Sequence, residues 1–128
     1  MIKRIDNIGI CVADLRRSVA FYQDLGFSSA GENDRGVTMV AGTARLFIFQ
    51  TRKVNLSVVG RDFTLFQNLS GIDHISFEVQ DVDRVYAEAK AKGVAFDNEP
   101  KDQSWGARMV SLHDPDGNNL YLLKWVQK

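Results

Sequence analysis

The protein has 128 residues, with 45% hydrophobic and 25% charged side chains, which predicts one globular domain and excludes disordered and fibrous classes. Lysine and arginine together number 16, as do aspartate and glutamate, so the chain lacks the basic excess typical of a nucleic-acid binder. Its one cysteine, Cys11, excludes an internal disulfide framework, and no apolar run approaches the roughly 18 residues that span a membrane. Because the first residues turn polar at once, we also expect no signal peptide and a cytoplasmic location.

An internal repeat is the most informative feature of the chain. When the sequence is displaced by 67 residues, Ile5-Asp6-Asn7-Ile8 lies on Ile72-Asp73-His74-Ile75. Over positions 5–26 the two copies share eight residues of 22 without a gap, far more than chance would give. The sequence therefore predicts two tandem copies of one unit, near residues 1–50 and 71–128.

The first copy reads as a strand, a helix and further strands. Apolar residues alternate with other residues from Ile8 to Val12, which predicts a strand with one face packed on a helix. Asp14 is a natural N-cap, because its carboxylate can accept amide protons of the first helical turn. Gly26 can end the helix in the left-handed conformation that glycine adopts at low cost. Strands are expected at about 37–41 and 44–50, with a small turn near residues 41–43.

The second copy follows the same order. Alternation from Ile75 to Val79 predicts its first strand, and Asp81 and Gly93 are expected to begin and end its helix. Later strands are expected at about 107–113 and 119–126. The segment Asp114-Pro115-Asp116-Gly117-Asn118 between them predicts a tight turn, because proline presets φ and glycine accepts a positive φ.

Residues 51–70 join the two copies, and they are too apolar for a solvated linker. The apolar side chains in this segment are Val54, Leu56, Val58, Val59, Phe63, Leu65, Phe66 and Leu69. We interpret the segment as packed, either as a cover over a binding site or as part of an interface.

The repeated unit resembles the vicinal oxygen chelate superfamily, which includes glyoxalase I, extradiol dioxygenases, fosfomycin-resistance proteins and bleomycin-resistance proteins. The resemblance covers nearly the whole chain, and it rests on the segments 7–15, 18–27, 71–79 and 114–122. It implies an α+β fold in which two tandem β-α-β-β-β modules form one domain over residues 1–128. In such a fold the curved mixed sheets enclose a cup that holds the active or binding site.

The superfamily's enzymes usually hold a divalent metal in that cup, with ligands on the first and last strands of each module. Carried over position by position, the resemblance places these ligands on Asn7, Phe47, His74 and Tyr121. Asn7 is a poor ligand, Phe47 cannot bind metal, and a tyrosine binds metal only when ionised, against an ordinary pKa near 10. Only His74 is retained, so we expect no metal and no other cofactor.

An apolar and aromatic cup with a few polar groups suits an organic ligand. We predict that one ligand pocket is lined by Asn7, Phe47, His74, Trp105 and Tyr121. Alternation places Phe47 and Tyr121 toward the cup, and it places a second set of residues on the helix-packed face: Leu46, Ile48, Leu120 and Leu122. For Trp105 three roles stay open, namely stacking on a ligand, closing a dimer interface or packing under its own loop.

Four other polar residues are better explained by structure than by chemistry. Glu78 shares the face of His74, and we interpret it as a solvated carboxylate at the rim, with a base or ligand anchor as the alternative. His113 is expected at the surface, and Arg108 in an ion pair at the sheet edge. Cys11 has no Cys-His motif near it, so we interpret it as a small wall residue.

The sequence thus favours a metal-independent protein that binds a small organic molecule, acting by sequestration as the bleomycin-resistance branch does. One alternative is a metal-dependent lyase, isomerase or dioxygenase of the same superfamily, and another is a non-catalytic interaction protein. We also expect a homodimer, because the apolar segment 51–70 is too hydrophobic to leave exposed on a small monomer, and Trp105 or Trp125 could add to the interface.

Overall fold

The computed structural model describes residues 1–53 and 70–126. The chain divides into two compact units, residues 1–55 and residues 56–128. Nearly all of the apolar segment between the two copies lies outside the described residues, so its interpretation as a cover or interface stays a prediction. Within the described ranges, no helix is long and apolar enough to cross a membrane.

The first unit is a four-stranded mixed sheet with one helix. Its sheet has the strand order β1-β4-β3-β2, with β1 parallel to β4 and the other neighbours antiparallel. Its elements are β1 (Ile8–Val12), α1 (Leu15–Asp24), β2 (Ser28–Glu32), β3 (Val37–Ala41) and β4 (Ala44–Gln50).

The second unit repeats this arrangement. Its strand order is β5-β8-β7-β6, and β5 runs parallel to β8. Its elements are β5 (His74–Glu78), α2 (Val82–Ala91), β6 (Lys101–Asp102), β7 (Ala107–His113) and β8 (Asn119–Trp125). The expected fold class is confirmed: the chain is an α+β protein built from two β-α-β-β-β modules.

The strands β2 and β6 were not located from the sequence. All five residues of β2 and both residues of β6 are exposed, so no apolar alternation marks them. Each is the last strand on the antiparallel side of its sheet and has only one neighbour. A strand that buries neither face leaves no periodic signal in the sequence.

Both helices begin and end as the sequence predicts. The carboxylates of Asp14 and Asp81 accept hydrogen bonds from the backbone amides of Arg17 and Arg84, each at 3.1 Å. Past the helix ends, Gly26 and Gly93 have φ values of 105° and 96°, a region that side chains with a Cβ rarely occupy.

One face of each sheet carries the core and packs against the helix of its own unit. In the first unit, Leu46 and Ile48 of β4 and Tyr22 of α1 are fully buried, and in the second unit Leu120 and Leu122 are buried. This burial agrees with the sequence prediction that the four side chains lie on the helix-packed face. Burying each such side chain contributes about 1.5–3 kcal/mol to folding.

The predicted turn between β7 and β8 is held by the side chain of Asp114. Its carboxylate accepts hydrogen bonds from the backbone amides of Asp116 and Asn118, at 3.0 and 2.9 Å, and from the side-chain amide of Asn118 at 2.9 Å. Gly117 takes the positive φ of 85° that the turn requires. This turn fixes the register in which β7 and β8 pair, and so decides which side chains become neighbours on the sheet.

Candidate functional site

The face of the second sheet that points away from α2 carries polar and aromatic residues in cross-strand rows. The register pairs Ser76 of β5 with Tyr121 of β8, and Tyr121 with Ser111 of β7. The next row joins Glu78, Leu123 and Met109. We call this surface the cavity face. Alternation along each strand puts every second side chain on this face, so residues distant in sequence become neighbours.

A cavity of about 590 Å³ lies on the cavity face, within the range typical of small-molecule sites. All the lining residues that the structure describes belong to the second unit. Strands β5, β7 and β8 and the loop between β6 and β7 contribute the lining residues. The lining residues are His74, Ser76, Glu78, Gln103, Trp105, Met109, Tyr121, Leu123 and Trp125.

At one end of the cavity, the rings of His74 and Tyr121 are stacked. Their centroids are 4.0 Å apart and their planes differ by 26°. The Nδ1 atom of His74 lies 2.7 Å from a carboxylate oxygen of Asp73. This contact favours the tautomer in which Nδ1 donates to Asp73 and Nε2 keeps its lone pair. The stack and the carboxylate together fix the orientation of the imidazole, which is then able to accept a hydrogen bond from a ligand.

At the other end, Trp105 and Trp125 form an aromatic corner. Their ring centroids are 5.3 Å apart, with an interplanar angle of 69°, and the two residues are 49% and 43% exposed. The backbone holds the corner together, because the amide of Val126 donates to the carbonyl of Gly106, directly after Trp105. Two half-exposed indoles side by side leave apolar area in solvent that an aromatic partner could cover.

Three of the five predicted site residues are brought together by the structure: His74, Trp105 and Tyr121 all line this cavity. Asn7 and Phe47 belong to the first unit, and their membership of the same pocket stays a prediction. The Asn7 side chain donates to a carboxylate oxygen of Asp6 at 2.8 Å, and Phe47 stacks on Phe49 with centroids 5.7 Å apart.

Several lining residues were missed by the sequence analysis, although a signal for some was present. Leu123 and Trp125 share the alternation of Tyr121 along β8, so the same argument that selected Tyr121 would have selected them. Met109 needed the cross-strand register, which pairs it with Leu123. Gln103 lies in the loop that follows β6, and no pattern in the sequence places that loop over the sheet.

The remaining candidates have defined surroundings. Arg108 donates two hydrogen bonds to Asp83, at 2.6 and 2.8 Å, and one to Asp102 at 3.0 Å, so the predicted ion pair at the sheet edge is present. These hydrogen bonds raise the pKa of Arg108 and lower that of Asp83. The half-buried His113 contacts Asp97 at 2.8 Å through Nδ1. The thiol of Cys11 is free, and the residue is exposed.

The candidate metal ligands of the second unit do not form the divalent metal site that the superfamily resemblance implies. Among residues 1–53 and 70–126, no three or more His, Cys, Asp or Glu side chains are grouped as metal ligands. His74 and Glu78 are four residues apart on one strand, which separates them by about 13 Å. That is far beyond the distance at which two ligands share one ion, and Tyr121 is engaged in the stack with His74.

Comparison with known proteins agrees with this architecture. The sequence profile of the Glyoxalase/Bleomycin resistance protein/Dioxygenase superfamily matches residues 4–122, and the chain belongs to that superfamily. The resemblance noted from the repeat and its motifs is thereby confirmed.

Individual relatives match along nearly their whole length. The uncharacterized protein YraH of Bacillus subtilis is 29% identical over 124 residues, covering 94% of this chain and 97% of YraH. A bleomycin resistance protein of Geobacillus stearothermophilus is 26% identical over 122 residues, covering 91% of this chain and 92% of that protein. The crystal structure of a glyoxalase family protein from Enterococcus faecalis has the same fold, with a TM-score of 0.77 at 24% identity and coverage of 95% and 98%.

Proposed function

We propose that the protein binds a small organic molecule in the cavity of its second unit, without a metal, and acts by sequestering that molecule. The observation that carries the proposal is the cavity itself, whose lining combines four aromatic rings with a small set of polar groups. A largely apolar concave surface supplies affinity by removing ligand area from water. A few fixed polar groups supply specificity.

The lining offers little chemistry beyond binding. Within residues 1–53 and 70–126, the lining has no cysteine, lysine or arginine, and its hydroxyl groups belong to Ser76 and Tyr121. Nucleophilic catalysis requires a nucleophile activated by an adjacent base. The imidazole of His74 is stacked on Tyr121 and hydrogen-bonded to Asp73, a geometry suited to orienting a ligand donor. Sequestration needs no further step, because tight binding alone removes the molecule from solution.

The similarity to a bleomycin resistance protein supports this proposal, since that protein's name describes protection against a small molecule.

We also propose that the chain acts as a homodimer in the cytoplasm. The exposed, unpaired thiol of Cys11 fits a reducing compartment. A homodimer is supported by the composition of segment 51–70, which is too apolar to leave in solvent on a small monomer.

Melting temperatures measured against a small-molecule and antibiotic library test the proposal. A ligand at 100 times its dissociation constant stabilises the fold by about 2.7 kcal/mol, which shifts the melting temperature by several degrees. In the Tyr121→Phe variant, a hit that hydrogen-bonds the phenol should lose about five- to tenfold in affinity, while the variant's own melting temperature stays close to that of the wild type. A library without any hit would contradict the proposal.

Two measurements address the alternatives. Elemental analysis of the purified, dialysed protein should show no stoichiometric iron, manganese, nickel or zinc, and one bound equivalent would favour the metal-dependent enzyme. Sedimentation at micromolar concentration should show a dimer. A monomer that binds a library hit would contradict the proposed homodimer and leave the proposed binding function intact.

A further inference from the structure

We infer that the ligand of the cavity is a flat aromatic ring system that carries a positively charged nitrogen. This inference rests on the proposed function and specifies the chemistry of the molecule bound. It follows from the order in which aromatic, apolar and charged side chains succeed one another along β5 and β8.

The first step concerns the shape of the cavity. Trp125 and Tyr121 are four residues apart on β8 and face the same way, so the aromatic corner and the His74 stack are separated by about 13 Å along the strand. Leu123 lies between them as an apolar floor, with Met109 beside it. This spacing accommodates an elongated, flat molecule with one or two fused rings.

The second step concerns the ring. Trp105 and Trp125 meet edge to face, so each indole leaves part of its surface exposed on the cavity side. A flat aromatic group placed in this corner gains stacking on one indole and an edge contact with the other, in addition to the contribution of the buried area. An aliphatic group of the same size would gain the area term alone.

The third step concerns charge. Glu78 lines the cavity one row from Trp125, about 7 Å along the sheet, and among the described residues its carboxylate makes no hydrogen bond or ion pair. Among the residues that the structure describes, no lysine or arginine lines the cavity. Arg108 lies on the helix-packed face of β7, where it is neutralised by Asp83 and Asp102.

A single cationic nitrogen on an aromatic ring can interact with both the Glu78 carboxylate and the two indoles. It pairs with the Glu78 carboxylate, and it is also attracted by the indole faces, since a tryptophan ring is the best of the aromatic side chains for holding a cation. An anion in the same place would face the Glu78 carboxylate, with no compensating cation in the described part of the lining. The cavity is therefore selective by charge as well as by shape.

Three probes with one ring system separate these contributions: naphthalen-2-ylmethylamine as the cation, naphthalen-2-ylmethanol as the neutral compound and 2-naphthoate as the anion. Quenching of tryptophan fluorescence and calorimetry give their dissociation constants. We expect the amine to bind about tenfold more tightly than the alcohol, and the carboxylate to bind most weakly. The Glu78→Gln variant should lose about fivefold for the amine and leave the alcohol unchanged, whereas Glu99→Gln, an exposed carboxylate outside the cavity, should change neither.

The outcomes distinguish this inference from the function on which it rests. If the alcohol or the carboxylate binds as tightly as the amine, or if Glu78→Gln leaves the amine's affinity unchanged, the cationic ligand is wrong and small-molecule binding stands. If none of the probes binds to the wild-type protein, the inference that the ligand is an aromatic cation is wrong. The melting temperatures measured against the compound library then decide separately whether the cavity binds small molecules at all.

Discussion

On the helix-packed face, the two units are close to interchangeable. Leu46 and Ile48 of β4 correspond to Leu120 and Leu122 of β8, because each pair lies opposite equivalent residues of the parallel first strand. All four are buried. The helices that cover them are both ten residues long, with an aspartate N-cap before each. The repeat has kept the parts of the unit that build its core.

On the opposite face, equivalent positions differ. The residues His74, Ser76 and Glu78 stand where the first unit has Asn7, Gly9 and Cys11, and the residues Tyr121, Leu123 and Trp125 stand where it has Phe47, Phe49 and Thr51. The imidazole of His74 and the carboxylate of Glu78 are therefore specific to the second unit.

Gly36 shows how differently this face is filled in the two units. Register places Gly36 of the first unit at the position of Met109 in the second. A Cβ atom on Gly36 would lie only 2.9 Å from the ring of Phe47 and 3.0 Å from the Cβ of Phe49. Phenylalanine side chains thus lie over bare backbone in one unit, while in the other a methionine lines a cavity. The comparison indicates that the helix-packed face supplies stability and the other face supplies function.

The largest expected effect tests the shared face. Leu46→Ala and Leu120→Ala each remove a fully buried side chain, so each should lower the free energy of unfolding by about 2–5 kcal/mol in urea titrations. Similar losses in the two units would support the equivalence of their cores. A loss below about 1 kcal/mol in only one variant would show that the units are not equivalent there.

The aromatic corner is the next test, because it is specific to the second unit. Trp125→Ala should weaken a cavity ligand about tenfold or more and cost little stability, since the residue is 43% exposed. Val126→Ala is the matched control, an exposed neighbour outside the cavity lining. If Trp125→Ala keeps its ligand and instead dissociates a dimer, the corner is an interface and the binding role assigned to it is wrong.

The two N-caps offer a smaller, symmetrical test. Asp14→Ala and Asp81→Ala each remove one hydrogen bond to a free backbone amide of the first helical turn. Each should cost about 1 kcal/mol, measured as a shift in the midpoint of urea unfolding. Asp14→Asn and Asp81→Asn, which keep the accepting oxygen, should recover most of the loss. No recovery would show that the hydrogen bond to the accepting oxygen is not the main contribution, and would favour the negative charge at the helix N-terminus.

The smallest expected effect concerns an ion pair whose signs are exchanged between the units. Arg16 of α1 pairs with Glu32 of β2, whereas at the equivalent position of α2 Asp83 pairs with Arg108 of β7. Asp83→Arg should therefore introduce repulsion with Arg108. Adding Arg108→Glu together with Asp102→Asn should restore the unfolding midpoint, because the third change removes the second carboxylate that Arg108 pairs with. A triple variant no better than Asp83→Arg alone would show that the pair has no energetic role.

The same pair predicts a pH dependence. The hydrogen bonds from Arg108 lower the pKa of Asp83 below its ordinary range near 4. A carboxylate whose pKa is depressed on folding stabilises the protein above its unfolded pKa, and the contribution is lost as the pH falls through the folded pKa. Nuclear magnetic resonance titration of Arg108→Gln should return the pKa of Asp83 toward its ordinary value. An unchanged pKa would contradict the role given to Arg108.

Much of the fold could be predicted because its signals are local. The alternation from Ile8 to Val12 marked β1, Asp14 and Gly26 marked the ends of α1, and the turn at Asp114 marked the β7–β8 hairpin. Each of these depends on backbone geometry within a few residues, which the side chains of those residues decide by themselves. The short edge strand β6 could not be predicted from the sequence, because both of its residues are exposed.

The sequence by itself determined the two repeated units, their caps, and which side chains of β5 and β8 share a face. Only the tertiary structure decided that Glu78, Leu123 and Met109 form one row, and that Trp105 meets Trp125. The physical reason is that alternation assigns a side chain to a face, whereas its neighbours on that face depend on the register between strands and on the path of the loop after β6. Those are properties of long-range pairing, and the candidate site is built from them.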